Sequence, residues 1–410
     1  MSAVLPVAQP DRGAPIPIGE FIAIVASLMA MAALGIDTML PALPDVGGSL
    51  GVTDANDRQY VITVFGVGFG VAQLVHGPLT DRYGRRRLLL VALTLYAATN
   101  VLAALAQSFP LLLLARFLGG TCVAGSRVAT VAMVRDCFSG RSMARIMSLA
   151  FMVFMAVPVA APALGAGILM FGDWRVIFWI IAGAALLLAG WIALRLPETQ
   201  HPEDRRLIEA GPIIAGWRIA LTDRLSLGYS LAAAALTGAL YGYLGTIEQI
   251  MADTFGRPRL LIVVFATTAA TMALANLVNS RLVMRLGMRR LGHGAVAALS
   301  VISLAHLALV LAGHETLWTF GIVQALTLAC FALSTSNFSS LAMERMGHIA
   351  GTASSVQGFL SITLGSALGM VIGQSFDGTT APLTLAFLCA GLAALAAAAI
   401  TERGRLFHPA

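Results

Sequence analysis

Three ionisable side chains stand inside long apolar runs of this 410-residue chain: Asp37 in GIDTMLPALP (35–44), Arg116 in LLLLARFLGGTCVAG (111–125), and Arg127 eleven residues further on. A charge in surroundings that cannot solvate it needs a partner or a proton. Asp37 can therefore be held as a carboxylate by a cation or neutralised by a proton, and Arg116 is the expected partner. Protonation would break such a pair and free the helices that carry it. Eleven residues at 100° each bring Arg127 back to nearly the helix face of Arg116. There it either lines a cavity and favours anionic or strongly dipolar ligands, or snorkels and bonds backbone carbonyls.

A different concentration of charge occurs in GPLTDRYGRRR (77–87), where five of eleven residues are charged although only 11% of the chain is. Gly77 permits close helix approach. Asp81 can accept donors at a neighbouring helix N-terminus, where the dipole favours an anion. The segment RLGMRR (285–290) repeats part of this pattern, with Arg82, Gly84, Arg86 and Arg87 matched by Arg285, Gly287, Arg289 and Arg290.

The elements that position these groups follow from composition. Hydrophobic residues make up 58% of the chain, and mean hydropathy is +0.85. Soluble domains carry about 25% charged residues, and no soluble core could hide this much apolar surface. Apolar runs of about 18 residues or more, enough to cross ~30 Å of hydrocarbon, are expected near 19–44, 59–80, 88–107, 110–134, 143–171 and 175–195. A second set is expected near 225–251, 259–283, 291–312, 317–341, 350–375 and 382–401. The expected fold is therefore all-α, with twelve transmembrane helices in two six-helix halves around a central cavity. Residues 1–196 form one half, 197–223 a charged linker, and 224–410 the other half.

Orientation follows from the arginines, since basic residues are retained on the cytoplasmic side. All 26 basic residues are Arg; with both termini inside, 20 fall in cytoplasmic segments, four outside, and Arg116 and Arg127 within a span. The N-terminus lacks the basic region of a cleavable signal peptide and reads as leading into a retained first span. Cys122, Cys137, Cys330 and Cys389 form no CxxC pair, so neither a disulfide framework nor a metal site is expected. The absence of a P-loop disfavours direct use of ATP. The seven histidines are scattered and no nucleophile motif stands out, which argues against an enzyme; a membrane-embedded sensor would call for an appended soluble domain. The high pI of 9.6 is accounted for by membrane topology without nucleic acid.

GPLTDRYGRRR closely resembles the G-x-L-a-D-r-x-G-r-k/r signature of the major facilitator superfamily, through Gly77, Leu79, Asp81, Arg82, Gly84, Arg85 and Arg86. The resemblance implies that Asp81 docks against the start of span eleven, here IAGTASS (349–355), when the inner gate is closed. Arg116 resembles the arginine of the R-x-x-q-G motif of span four, with Gly119 in place of Gln. VPVAAPALGAG (157–167) resembles the span-five antiporter motif g-x-x-x-G-P-x-x-G-G; Pro162 and Gly165 are kept, and Pro158 adds a second bend. IDTMLPALP, VRDCF and NSRLV extend the resemblance to the bicyclomycin/chloramphenicol resistance (Bcr/CflA) branch. That branch implies drug:proton exchange across a bacterial inner membrane, with Asp37 and Arg116 coupling protons, no cofactor beyond the proton gradient, and a monomer in the bilayer. Export of a native metabolite by the same mechanism would leave a nearly identical sequence.

The second half offers fewer groups. Glu248 is either a second proton or cation site or a solvated rim residue. Tyr241 and Tyr243 could stack on an aromatic drug or sit at the membrane interface. Asn337 and Gln357 could line the cavity or join helices.

Overall fold

In a computed structural model the structure describes residues 13–138, 140–201, 203 and 209–408. The chain is helical, with no strand among the described residues. The first helices are α1 (Ile18–Asp37), the short α2 (Leu43–Ser49), α3 (Tyr60–Tyr83), α4 (Arg85–Ala104), α5 (Phe109–Cys137), α6 (Gly140–Leu169) and α7 (Arg175–Arg195). They are followed by α8 (Ala210–Thr222), α9 (Arg224–Gln249), α10 (Leu261–Leu286), α11 (Met288–Leu311) and α12 (Leu317–Ala342). The last are α13 (Ala350–Phe359), α14 (Gly365–Gln374) and α15 (Ala381–Thr401). Among the described residues, eleven segments are long and apolar enough to cross a membrane. Helix α6 lies where the remaining expected span falls.

Breaks in the helices have local causes. Helix α1 stops at Asp37 because Pro41 and Pro44 follow, and the chain passes through a 3₁₀ turn, Leu40–Ala42, into α2. Gly84 and Gly287, at φ 94° and 80°, adopt a left-handed backbone that other residues resist, so α3 turns into α4 and α10 into α11 without a loop. Helices α13 and α14 form one span interrupted by a π-helical segment, Leu360–Leu364, and a second such segment, Ile250–Thr254, ends α9. Segments of this kind are frequent at functional sites.

Helix α3 packs along α5, α4 along α5 and α7, and α1 along α6. Later in the chain, α9 packs on α14 and α15, α10 on α12, and α11 on α12 and α15. The two sets meet where α3 runs against α13 and α14, and where α6 meets α10. Glycines set the first seam: a Cβ at Gly70 would overlap Thr363, and one at Gly358 or Gly373 would overlap Gln73 or Gln59. Small residues on both sides let the backbones close up. Beside the second seam, Pro41, Leu169, Arg259 and Ile262 line an open cleft.

The segment 197–223 is more than a charged linker. Its apolar run IIAGWRIAL lies within α8, whose Trp217 and Ala220 pack with Ala353 and Val356 of α13. A short amphipathic helix has to bury its apolar stripe, and the start of α13 is the surface that receives it.

Candidate functional site

Asp37 is buried, at 5% exposure, where α1 breaks. Gly165 of α6 lies directly behind it: a Cβ there would overlap the Thr38 carbonyl and approach Pro41 to 3.0 Å. The glycine of the span-five motif thus serves a close approach to the turn after Asp37. Pro162 of the same motif is buried; the side chain of Pro158 lies outside the described residues. The hydroxyl of Tyr241, from α9, lies within electrostatic reach of Asp37. Asp37 thus lies near the second set of helices, at a turn that also packs on α9.

The expected ion pair between Asp37 and Arg116 is not formed. The Nε of Arg116 donates to the Val61 carbonyl at 3.0 Å, and its Cζ lies 4.3 Å from the Phe65 ring centroid and 5.8 Å from that of Phe178. The two residues do not meet because Arg116 is directed between α3 and α7, at 2% exposure. Planar guanidinium stacking makes it a packed cation. The helical arithmetic does hold for Arg127, whose Cζ lies 5.9 Å from the Phe69 ring, one turn along α3 from Phe65. The surroundings differ: Arg127 is exposed although Phe69 and the Tyr241 hydroxyl are near it. That combination marks a chamber inside the bundle.

Near this chamber several polar atoms lack partners. Among the described residues these are Nε2 of Gln73 on α3, Nε2 of Gln357 on α13 and Oγ1 of Thr363. Tyr241 reaches Ser366 and is half-buried beside Gly66. Tyr243 is not part of this wall: it is buried, its hydroxyl meets Thr268 at 3.1 Å, and it stacks on Phe265 of α10. Two residues on along a helix the side chain points some 200° away, which is why the two tyrosines part company. Asn337 likewise joins helices, donating to Asn279 at 2.8 Å and tying α12 to α10.

At the arginine-rich end the carboxylate of Asp81 accepts from Arg85 at 2.6 Å, and Arg85 also donates to Asp136 at 2.9 Å. The expected docking of Asp81 on the start of span eleven is replaced by this arginine one helical turn along its own segment. The close approach to that span is made by Gly77, where a Cβ would lie 3.1 Å from Ser355 Oγ. Glu198, beyond α7, accepts the backbone N–H groups of Arg85 and Arg86 at 2.9 and 3.2 Å, capping α4 where the helix dipole favours an anion. Arg86 donates to the Ala193 carbonyl at 2.6 Å, while Arg82 is exposed. In the repeated motif, Arg289 binds Glu344 and Glu402, each at 2.7 Å. Burial pushes the Glu402 carboxyl up, but hydrogen bonds from Tyr229 and Arg289 outweigh this and hold it below the ordinary carboxylate range. Sequence reasoning missed Asp136 and Glu198; VRDC and LPET, directly after spans four and six, were the available signals.

The opposite end holds a network that no motif announced. Gln59 Nε2 donates to Gln249 Oε1 at 2.6 Å and to the Gly373 carbonyl at 3.1 Å. Gln249 Nε2 donates to Asn56 Oδ1 at 2.9 Å, and Asn56 Nδ2 to the Phe376 carbonyl at 3.0 Å. Gln374 Nε2 returns a bond to the Asn56 carbonyl at 3.1 Å. These amides join the start of α3 to the ends of α9 and α14. Glu248, beside Gln249, is buried at 7% exposure, with Arg58 within electrostatic reach, so it is not a solvated rim residue.

A multi-helical membrane bundle with a buried acid, an arginine-lined chamber and polar closures at both ends describes a transporter of small molecules. The chain belongs to the Major Facilitator Superfamily, whose family model matches residues 25–370. It is 29% identical to an uncharacterized MFS-type transporter, YdgK, of Bacillus subtilis, over 94% of this chain and 97% of that one. It is 27% identical to a bicyclomycin resistance protein homolog of Haemophilus influenzae, over 93% and 96% of the two chains. A chloramphenicol resistance protein of Pseudomonas aeruginosa is 31% identical over 88% of this chain and 87% of its own length. Among solved structures, the human organic anion transporter MFSD10 superposes with a TM-score of 0.67 over 92% of this chain and 99% of that one, at 19% identity. That similarity concerns the fold.

Proposed function

We propose that this protein exports small amphipathic drugs from the bacterial cytoplasm in exchange for protons. It does so by alternating access between two six-helix halves, twelve spans in all, in the inner membrane. The arginine-rich end is the cytoplasmic one, by the retention of basic residues, which places both termini inside. The observation that carries this reading is Asp37: a buried carboxyl without an arginine partner among the described residues, at a helix break, near Tyr241 of the other set of helices. A proton arriving from outside changes its charge, and with it the balance between conformations. The resistance proteins among its relatives support drugs as the cargo.

In this scheme the Asp81–Arg85–Asp136 network and the contact of Gly77 with α13 form the inner gate. Arg82, Gly84 and Arg86 hold its backbone and topology. The amides around Gln59 form the outer gate. Arg116 acts by packing α5 against α3 and α7, so that displacement of Asp37 is transmitted to a rigid unit. The reading is tested in a bacterium lacking its major pumps, by inhibitory concentrations over a compound panel. Asp37→Asn is expected to abolish resistance at unchanged protein level. If everted vesicles carrying Asp37→Asn still move protons normally on drug addition, Asp37 is not the coupling group.

A further inference from the structure

The groups left without partners in the chamber are unequal in kind. Arg127 is in no ion pair among the described residues, yet it lies at mid-span of α5, eighteen residues from Phe109 and ten from Cys137. Gln73 is buried, at 5% exposure, one turn along α3 from the Phe69 ring that Arg127 overlies, and its Nε2 has no partner. Across the seam Gly358 packs on the Gln73 amide, and the adjoining Gln357 has an unpartnered Nε2 of its own. Every nitrogen here donates. Leaving a buried donor unpaired costs free energy that a matching acceptor recovers, and the exposed Arg127 guanidinium beside them offers a planar, charged fork to an anion.

We infer that Arg127, Gln73 and Gln357 form an oxyanion subsite, and that the preferred cargo is an amphipathic monoanion bearing a carboxylate. This rests on the exporter reading and names its substrate class. The guanidinium fork matches the two carboxylate oxygens. The Gln73 amide takes a remaining lone pair, and that of Gln357 closes the subsite from the other set of helices. Phe69 and Tyr241 supply apolar faces for the body of the ligand. Because the three donors come from α3, α5 and α13, the ligand ties the two sets of helices together. A membrane negative inside drives a monoanion outward, so export of such a cargo needs no neutralising proton on the ligand itself.

The test uses the purified full chain in detergent and three fluorescent probes of one skeleton type: N-dansyl-leucine, its neutral leucinamide, and the cation dansylcadaverine. The carboxylate is expected to bind at least tenfold more tightly than the amide. Arg127→Gln should erase that preference while changing amide binding less than twofold. Arg127→Lys should keep part of it, and Gln73→Leu should weaken the carboxylate about threefold. Equal binding of carboxylate and amide by the unaltered protein would overturn the subsite, as would an Arg127→Gln variant that weakens all three probes alike. Binding of the amide or cation without preference for the carboxylate overturns the subsite and leaves the exporter reading standing. Binding of none of the three overturns both.

Discussion

Gln59 and Gln249 meet at 2.6 Å, side-chain amide to side-chain amide, between the start of α3 and the end of α9. Both are buried, and the bond joins helices from opposite ends of the chain's two sets. Opening that end of the molecule has to break it, together with the bond from Gln59 to Gly373. At ~1 kcal/mol net for each bond, removing the Gln59 amide should favour the outward-open form roughly thirtyfold. The readout is labelling of Thr246→Cys, buried just below the network, by an impermeant maleimide in a chain whose four native cysteines are serine. Unchanged labelling in Gln59→Ala would show that the network does not close the outer gate.

Arg116 separates two roles that a point charge would merge. If its work is stacking on Phe65 and bonding to Val61, lysine cannot replace it, because the planar fork and its ring contact are lost. Arg116→Lys should lower stability by ~1–2 kcal/mol and reduce transport at least tenfold. Full transport by the lysine variant would mean that charge alone suffices, as pairing with Asp37 requires.

Arg85 is 4% exposed between Asp136 and Asp81, which are 17% and 39% exposed at their side chains. Removing a buried cation leaves its carboxylates uncompensated, so Arg85→Gln should cost ~3 kcal/mol. Asp81→Asn, at the more exposed end, should cost less than ~1 kcal/mol. Thermal unfolding of the purified variants gives the order directly, and the reverse order would refute this account of the gate.

Adjacent glycines of α5 make a sharper comparison. A Cβ at Gly120 would overlap the Phe65 carbonyl and lie 3.0 Å from the Phe69 nitrogen, whereas one at Gly119 would meet the Thr99 hydroxyl at 3.3 Å and make ordinary contacts with Tyr96 and Phe65 at 3.6 and 3.8 Å. Gly120→Ala should therefore destabilise by ~1–3 kcal/mol, with Gly119→Ala within ~0.5 kcal/mol of the parent. Equal melting temperatures would mean that α3 and α5 are free to move apart.

What could be read from the residues alone was set by short-range physics. Apolar length placed the spans, and the helical period put Arg116 and Arg127 on one face of their helix. The sequence also isolated Asp37 as a charge with no local means of solvation. Only the tertiary structure decided who faces whom. Depth along a helix is legible in a sequence, but azimuth depends on which neighbours pack against it; so Asp37 came to Tyr241 instead of Arg116, and Tyr243 turned into the α9–α10 contact. Amides such as Gln59, Gln249 and Gln374 looked like ordinary span ends, since nothing in one chain segment reveals a hydrogen-bond partner some 190 to 320 positions away. Arg127 shows the division most clearly: its charge and register were evident from the sequence, while its neighbours Phe69 and Tyr241 come from other helices, one of them more than a hundred residues away.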